Sequence, residues 1–403
     1  MSWARRGICW RRPLNCDEIM YKSMAAAGRD LGREKSVLVG TVKIAFLPDM
    51  IHVEQRLRST WAALRLRHLD VAVVLEDNEK CYQPIASDDD LEAWVISIFR
   101  VETAVRSANE LLSRHIKCPM ESASCHWPWD GRGHIMILHE FLSLLAAPGP
   151  ATIIHDPGSE AAQLVPPLDA WSIRADTLVE PMIEGYPPIG LPADTGSLPG
   201  DTLRIETVIP YEITSALRAG CRARGIRLTA ALHASLIVTT AQYNSWAAFD
   251  LRKCCPALFH GPLHTSSIRM IGLPLGPIYE QSFALEHSDL MFVRVPYMER
   301  MTRMVTATAA TPPAEPVLSN LGTTLTLDDS VHMQYGDFTV QNVWLGVHTL
   351  IPQLVVHTWS WKGSLRISIF YNESFYEATL VEAWLEKFKV NLFANLDVES
   401  GLS

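Results

Sequence analysis

The 403-residue sequence predicts an α/β protein, an α+β two-layer sandwich built as two lobes. Three observations carry the class and the two-lobe division. Strand-type and helix-type segments alternate in both halves, a proline-rich stretch separates the halves, and the length exceeds what one hydrophobic core usually organises. Hydrophobic residues make up 48% of the chain and charged residues 20%, which suits a packed protein and excludes a largely disordered one.

The elements follow in order. SVLVGTVKIAFL (36–47) is rich in β-branched residues and predicts a strand. The stretch 50–68 then spaces Ile51, Leu57, Trp61, Leu64 and Leu66 approximately as a helix does, and DVAVVLED (70–77) predicts another strand. Residues 90–116 are helical, or loops between helices, and HIMILHEFLSLLA (134–146) predicts a helix that begins just past two glycines. From 147 to 200 the composition changes: 10 of the 25 prolines lie there, and at that density neither a long helix nor a central strand can form. This stretch divides the chain into an N-terminal lobe (1–165), a crossover (166–200) and a C-terminal lobe (201–403).

The second lobe opens on a strand at 201–210, followed by two helices in YEITSALRAGCRARG and RLTAALHASLIVTTAQYN. Two alternating runs around Lys362-Gly363 predict a hairpin, and EATLVEAWLEKFKVNLFANL an amphipathic last helix.

A net charge of −9 argues against a general nucleic-acid binder, which needs a surplus of Lys and Arg to neutralise phosphates. The eight cysteines form no C-x-x-C pair, so neither a zinc site nor a redox motif is predicted, and no metal is expected. With no apolar run long enough for a signal peptide or a membrane span, the expected location is the cytoplasm.

The chemistry concentrates in SASCHWPWDGRG (122–133), where His126-Trp127-Pro128-Trp129-Asp130-Gly131 fits H-x-x-x-D-G. A chance match of this pattern in such a chain is about one in twenty, so the pattern alone is suggestive only. Pro128 forbids a regular helix and Asp-Gly favours a turn, which places His126 on a tight loop ahead of the helix. An imidazole so presented suits proton abstraction near neutral pH. The bland alternative is a loop whose tryptophans bury aromatic area while Asp130 caps the helix. Cys125 beside the histidine could suggest a thiol nucleophile, but neighbours in an extended segment point to opposite sides. His134 and His139 are five apart on the helix and lack metal-ligand spacing, and His233 in an apolar helix suits a core position.

At this point the sequence resembles the chloramphenicol acetyltransferase-like superfamily, which includes alcohol acyltransferases, nonribosomal peptide condensation domains and fungal trichothecene O-acetyltransferases. The resemblance is carried, in chain order, by CHWPWDGRG with its helix, GIRLTAALHASLIVT, AAFDLRKCCPALF, and VLSNLG with the later VWLG. It covers most of the chain and is nearest to the trichothecene 15-O-acetyltransferase-like proteins. It implies a monomer of two chloramphenicol acetyltransferase-like lobes with a solvent channel between them, in which His126 is the general base, removing the proton of an acceptor hydroxyl as that oxygen attacks an acyl-CoA thioester. Asp130 and Gly131 are then structural, Arg252 pairs with Asp130, and Ser319 or Asn320 donates to the oxyanion. Trp127 and Trp129 are candidates to line an acceptor pocket.

The implied partners are acetyl-CoA or another acyl-CoA as co-substrate and a small-molecule hydroxyl acceptor, such as a terpenoid or polyketide of fungal secondary metabolism. No resident cofactor is expected. Condensation on a carrier-protein thioester, and a non-catalytic binding role, are the alternatives. Two departures stand out. Cys125 occupies the place where many condensation domains carry a second histidine, which leans towards acyl-CoA chemistry, and DFTVQNVWLG (337–346) only approximates the DFGWG element of the plant enzymes.

Overall fold

The protein was characterised through a computed structural model, which describes residues 3–26, 28–33, 35, 37–48, 50–104, 107–110, 129–147, 163–168, 190–240, 245–250, 255, 270–275, 295, 298–299, 302–303, 314–323 and 331–398. It is a mixed helix and sheet structure with three sheets among those residues.

The N-terminal sheet has the order β1-β2-β5-β4, with β1 (Ala4–Arg6), β2 (Cys9–Pro13), β4 (Val74–Glu76) and β5 (Glu79–Tyr82), all antiparallel. Helix α1 (Cys16–Ala26) starts at a reciprocal cap. Asn15 Oδ1 accepts from the Glu18 N–H at 2.8 Å while Glu18 Oε2 accepts from the Asn15 N–H at 2.9 Å. The strand predicted over 70–77 is only partly one: Leu69–Ala72 forms a 3-10 turn, and Asp70 points into the buried side.

The second sheet, β10-β11-β3, joins distant parts of the chain. β3 (Leu38–Phe46) pairs antiparallel with β11 (Phe338–Val347), from Val347 opposite Leu38 to Phe338 opposite Phe46, and β10 (Gln334–Tyr335) flanks β11. Helices α2 (Val53–Arg67), α3 (Asp88–Ile98) and α4 (Gly131–Ala146) accompany it. Arg56 Nε donates to the Leu145 carbonyl at 2.9 Å and Arg67 pairs with Glu140 at 2.7 Å, tying α2 to α4. The strand predicted over 36–47, the helix within 50–68 and the helix after the Asp-Gly turn are all present.

The third sheet has six strands in the order β6-β13-β12-β9-β7-β8: β6 (Thr202–Ile209), β7 (Ser245–Asp250), β8 (Met270–Leu275), β9 (Val317–Thr323), β12 (Val355–Trp361) and β13 (Ser364–Asn372). β9 runs parallel to both its neighbours, and the other pairings are antiparallel. The predicted hairpin turns at Lys362 and Gly363, both with positive φ of 52° and 78°.

Alternation along the strands gives this sheet two different faces. Val356, Ile367, Ile369 and Tyr371 pack against α5 (Tyr211–Ala223), α6 (Leu228–Thr240) and α7 (Ala378–Ala394), meeting Leu217, Leu232, Leu236, Trp384 and Phe388. Trp359, Trp361 and Phe370 face the other way, into a core shared with Val343 and Leu345 of β11 and Ile135 and Leu142 of α4. Each large apolar side chain so buried contributes roughly 2–3 kcal/mol. The six-stranded sheet is thus held between a helical layer and the β11–α4 unit.

Candidate active site

The end of the motif is placed where the β11–α4 unit meets the six-stranded sheet. Asp130 stands at the N-cap of α4 in extended conformation, and its Oδ1 accepts from the Gly133 N–H at 2.7 Å. The helix therefore begins at Gly131, three residues before the stretch predicted from HIMILHEFLSLLA, because this cap outweighs the cost of two glycines in the first turn. Asp130 is 1% exposed and lies close enough to Tyr21 that its charge adds to burial in raising the phenol pKa. Fixed in this way, its carboxylate caps the first turn of α4.

Gly131 is in close contact with two other elements. A methyl group added there would lie 3.2 Å from Leu321 of β9 and 3.6 Å from Leu345 of β11. Trp129 packs edge-on against His134 with ring centroids 5.5 Å apart, and the His134 ring rests on Gly40 of β3, where a Cβ would sit 2.5 Å from Nε2. The Trp129 Nε1 is buried and has no hydrogen-bond partner among the described residues. His126, Trp127 and Arg252 lie outside the described residues.

Ser319 and Asn320, both proposed from VLSNLG, are on β9 and point to opposite faces. Asn320 lies beside Thr358 on the helical side, donating to Thr229 Oγ1 of α6 at 2.6 Å and accepting from the Gly322 N–H at 2.9 Å. Ser319 lies beside His357 on the side of the β11–α4 unit. Gly131 therefore lies against Leu321, two positions from Ser319 on the same face of β9, while Asn320 is turned to the opposite face.

His357 had no signal of its own in the sequence. It is 4% exposed, and its Nδ1 is 2.8 Å from the Leu345 carbonyl oxygen, so Nδ1 carries the proton and the ring orientation is set. The one available cue was its inward position in the alternating run VVHTWSW.

The remaining singled-out groups have structural surroundings. His233 is buried on α6, which lowers its pKa to about 4 and keeps it neutral. His139 Nδ1 and the Tyr335 hydroxyl are hydrogen-bonded at 2.7 Å, joining α4 to β10. No cluster of three or more metal-ligating side chains occurs among the described residues, and none of their helices is long and apolar enough to cross a membrane. Cys9, Cys81 and Cys221 are free thiols.

No protein-family model matches the sequence. Among curated proteins, the chain is 24% identical to "Acetyltransferase pigO" of Monascus ruber, over 96% of each chain. It is 22% identical to "O-acetyltransferase pigM" of the same organism, over 95% of this chain and 84% of that one. Among solved structures, the TRI3 trichothecene 15-O-acetyltransferase from Fusarium sporotrichioides superposes with a TM-score of 0.73, at 14% identity, over 98% of this chain and 97% of that one.

Proposed function

We infer that the chain is an acyltransferase of the chloramphenicol acetyltransferase-like superfamily, and that it esterifies a hydroxyl of a fungal secondary metabolite with an acyl group delivered by acyl-CoA. The observation that carries this reading is end-to-end similarity in both sequence and fold: acetyltransferases match the chain over nearly its whole length. The Asp130 cap of α4 agrees with the structural role that the resemblance gives this residue.

In the proposed reaction, His126 removes the proton of the acceptor hydroxyl while the oxygen attacks the thioester carbonyl, and CoA leaves as the thiol. No covalent acyl-enzyme is needed. The tetrahedral intermediate carries an oxyanion, and Ser319 is the better placed of the two candidate donors because Asn320 is engaged with Thr229 on the far face. Asp130, with Arg252 as its proposed partner, fixes the loop that carries the base.

The test is incubation with isotope-labelled acetyl-CoA and a fungal secondary-metabolite extract, read by mass spectrometry beside His126→Ala. A labelled ester formed by the wild type, at a rate about 10²–10⁴-fold above the variant's, is the expected result. Equal rates for the two proteins would remove His126 as the base. Labelled product seen only when a carrier-protein thioester replaces the CoA donor would move the reading to condensation-type chemistry.

A further inference from the structure

The cysteines show no paired spacing in the sequence, but the fold brings two of them together. Cys9 is the first residue of β2 and Cys81 the penultimate residue of β5. Trp10 is in register with Tyr82, Arg11 with Cys81 and Arg12 with Lys80, so the antiparallel ladder decides which side chains share a face. Trp10, Arg12, Lys80 and Tyr82 turn to the buried face, towards Glu18 and the cluster around Leu69 and Leu164. Cys9, Arg11 and Cys81 turn to the other face. There Cys9 stands on the diagonal from Cys81, a spacing at which side chains on neighbouring strands still reach each other.

The two thiols meet: the side chain of Cys81 is hydrogen-bonded to that of Cys9. Arg11 is close enough for its charge to act on both sulfurs, and its guanidinium is held by Glu76 of β4. Access to the two sulfurs differs. Cys81 is 2% exposed, whereas Cys9 is only half-buried, beside the turn at Gly7 and Ile8. Burial and the Cys9 hydrogen bond push the Cys81 thiol up to about 11, with Arg11 in opposition, so this thiol keeps its proton at neutral pH. Cys9 is therefore the sulfur that a dissolved oxidant meets first. Joining the pair requires the diagonal positions to draw closer than an undisturbed ladder holds them. Cys9 is placed to supply that movement, because its pairing with β5 has ended one residue earlier, at Trp10.

We propose that Cys9 and Cys81 form a thiol-oxidation site, at which hydrogen peroxide converts the touching pair into a disulfide between β2 and β5. Cys9 Sγ attacks one peroxide oxygen, the O–O bond breaks, and the sulfur becomes a sulfenic acid as water leaves. Cys81 Sγ then attacks the Cys9 sulfur, the S–O bond breaks, and the hydroxyl departs as water with the Cys81 proton. The two thiols lose two electrons and two protons in all, and the peroxide is reduced to two waters. A dithiol reductant opens the bond again by exchange. The disulfide closes a loop that contains α1, β3 and α2, and it ties together the two strands whose other face holds Arg12 and Lys80 on Glu18. The oxidised protein is then the more resistant to unfolding.

The test treats the reduced full chain with hydrogen peroxide, blocks the remaining thiols with an alkylating agent, and maps the peptides by mass spectrometry. A peptide linking Cys9 to Cys81, about 2 Da lighter than its two reduced halves together and lost after dithiothreitol, is the expected result. Thermal melts should place the oxidised protein a few degrees above the reduced one, and Cys9→Ser should abolish that rise. Cys81→Ala should leave Cys9 as a sulfenic acid that dimedone captures, because the thiol that resolves it is gone. Sulfinic or sulfonic acid on Cys9 of the wild type with no linked peptide would overturn the proposal. So would a bond from Cys9 to any other cysteine, or a Cys9 and a Cys81 that both remain alkylatable after peroxide. Mapping the wild type decides the matter even where a variant fails to fold.

Discussion

The two ends of the chain bury themselves with opposite chemistry. Beneath the N-terminal sheet lies a core of charges. Arg12 gives both terminal nitrogens to Glu18 at 2.8 and 2.7 Å, Lys80 Nζ approaches the same carboxylate at 2.6 Å, and all three side chains are 1% exposed or less. Asp70 is buried beside them and accepts from the Val165 N–H at 3.3 Å, while Trp3 Nε1 donates to the Val165 carbonyl at 3.0 Å. At the C-terminal end, α7 lays Val381, Trp384, Leu385, Phe388 and Leu392 on the six-stranded sheet. Apolar packing tolerates small adjustments, whereas a buried ion group tolerates no missing member, because each charge is stable only beside its partners.

That contrast is tested most severely at its charged end. Glu18→Gln removes the carboxylate that Arg12 and Lys80 share and leaves Asp70 to face both cations, and the loss in urea unfolding should be about 3–5 kcal/mol. Phe388→Ala opens a cavity under α7 and should cost about 3–4 kcal/mol, with a graded series through Leu costing less. If Glu18→Gln proved milder than Phe388→Ala, the charged core would be better hydrated than its burial indicates.

The pH dependence sharpens the comparison further, because the two carboxylates in the cluster respond with opposite sign. Burial pushes the Glu18 pKa up, but Lys80 and Arg12 more than offset this and bring it to about 2. Its stabilising effect is therefore complete above the unfolded value of about 4.5 and is lost as pH falls towards 2. For Asp70 burial dominates, only partly opposed by Lys80 and Arg12, and its pKa rises to about 6. A raised carboxylate pKa means that ionisation costs stability: the cost is absent below about pH 4, grows between 4 and 6, and is complete above 6. Asp70→Asn, which keeps an acceptor for the Val165 N–H, should stabilise the protein by about 1–3 kcal/mol at pH 8 and by almost nothing at pH 4. Thermal melts at the two pH values would read this directly. The smallest effect is expected at the boundary between the regions, where Asp130→Ala loses the cap of α4 and should cost about 1–2 kcal/mol. Acetyl-transfer activity should fall further than that loss of stability alone would produce, and the two are separated by assaying well below the melting temperature.

Sequence periodicity revealed the locally determined parts of this structure. The spacing of Leu57, Trp61 and Leu64, the Lys362-Gly363 turn and the last amphipathic helix each declare themselves within a few residues, and each is present. Asp130 was legible both as a motif residue and as a cap, but the glycines at 131 and 133 hid how early α4 begins. The charged core had one local cue, the spacing of Asn15 and Glu18 in a capping box, yet Lys80 reaches the same site from a strand that no local pattern connects to α1. Ser319 and Asn320 were found together because they are adjacent; which of them lies on the side of the β11–α4 unit depends on the face of β9 each occupies, and that is decided by pairing with β12. His357 comes to lie beside Ser319 only through that pairing.

The antiparallel ladder between β3 and β11 has a consequence for how the protein is made. During synthesis β3 emerges early, but its partner strand is complete only after residue 347 has left the ribosome. Until then an amphipathic strand and the apolar side of α4 wait with their edges uncovered, the condition in which chains are held by chaperones or associate with one another. Closing so long a loop is slow more than it is unfavourable, since closure entropy grows only logarithmically with length. The surface on which Gly131 and His357 converge is thus one of the last parts of the molecule to exist, and the acyl-transfer site proposed there can form only after nearly the whole chain has been released.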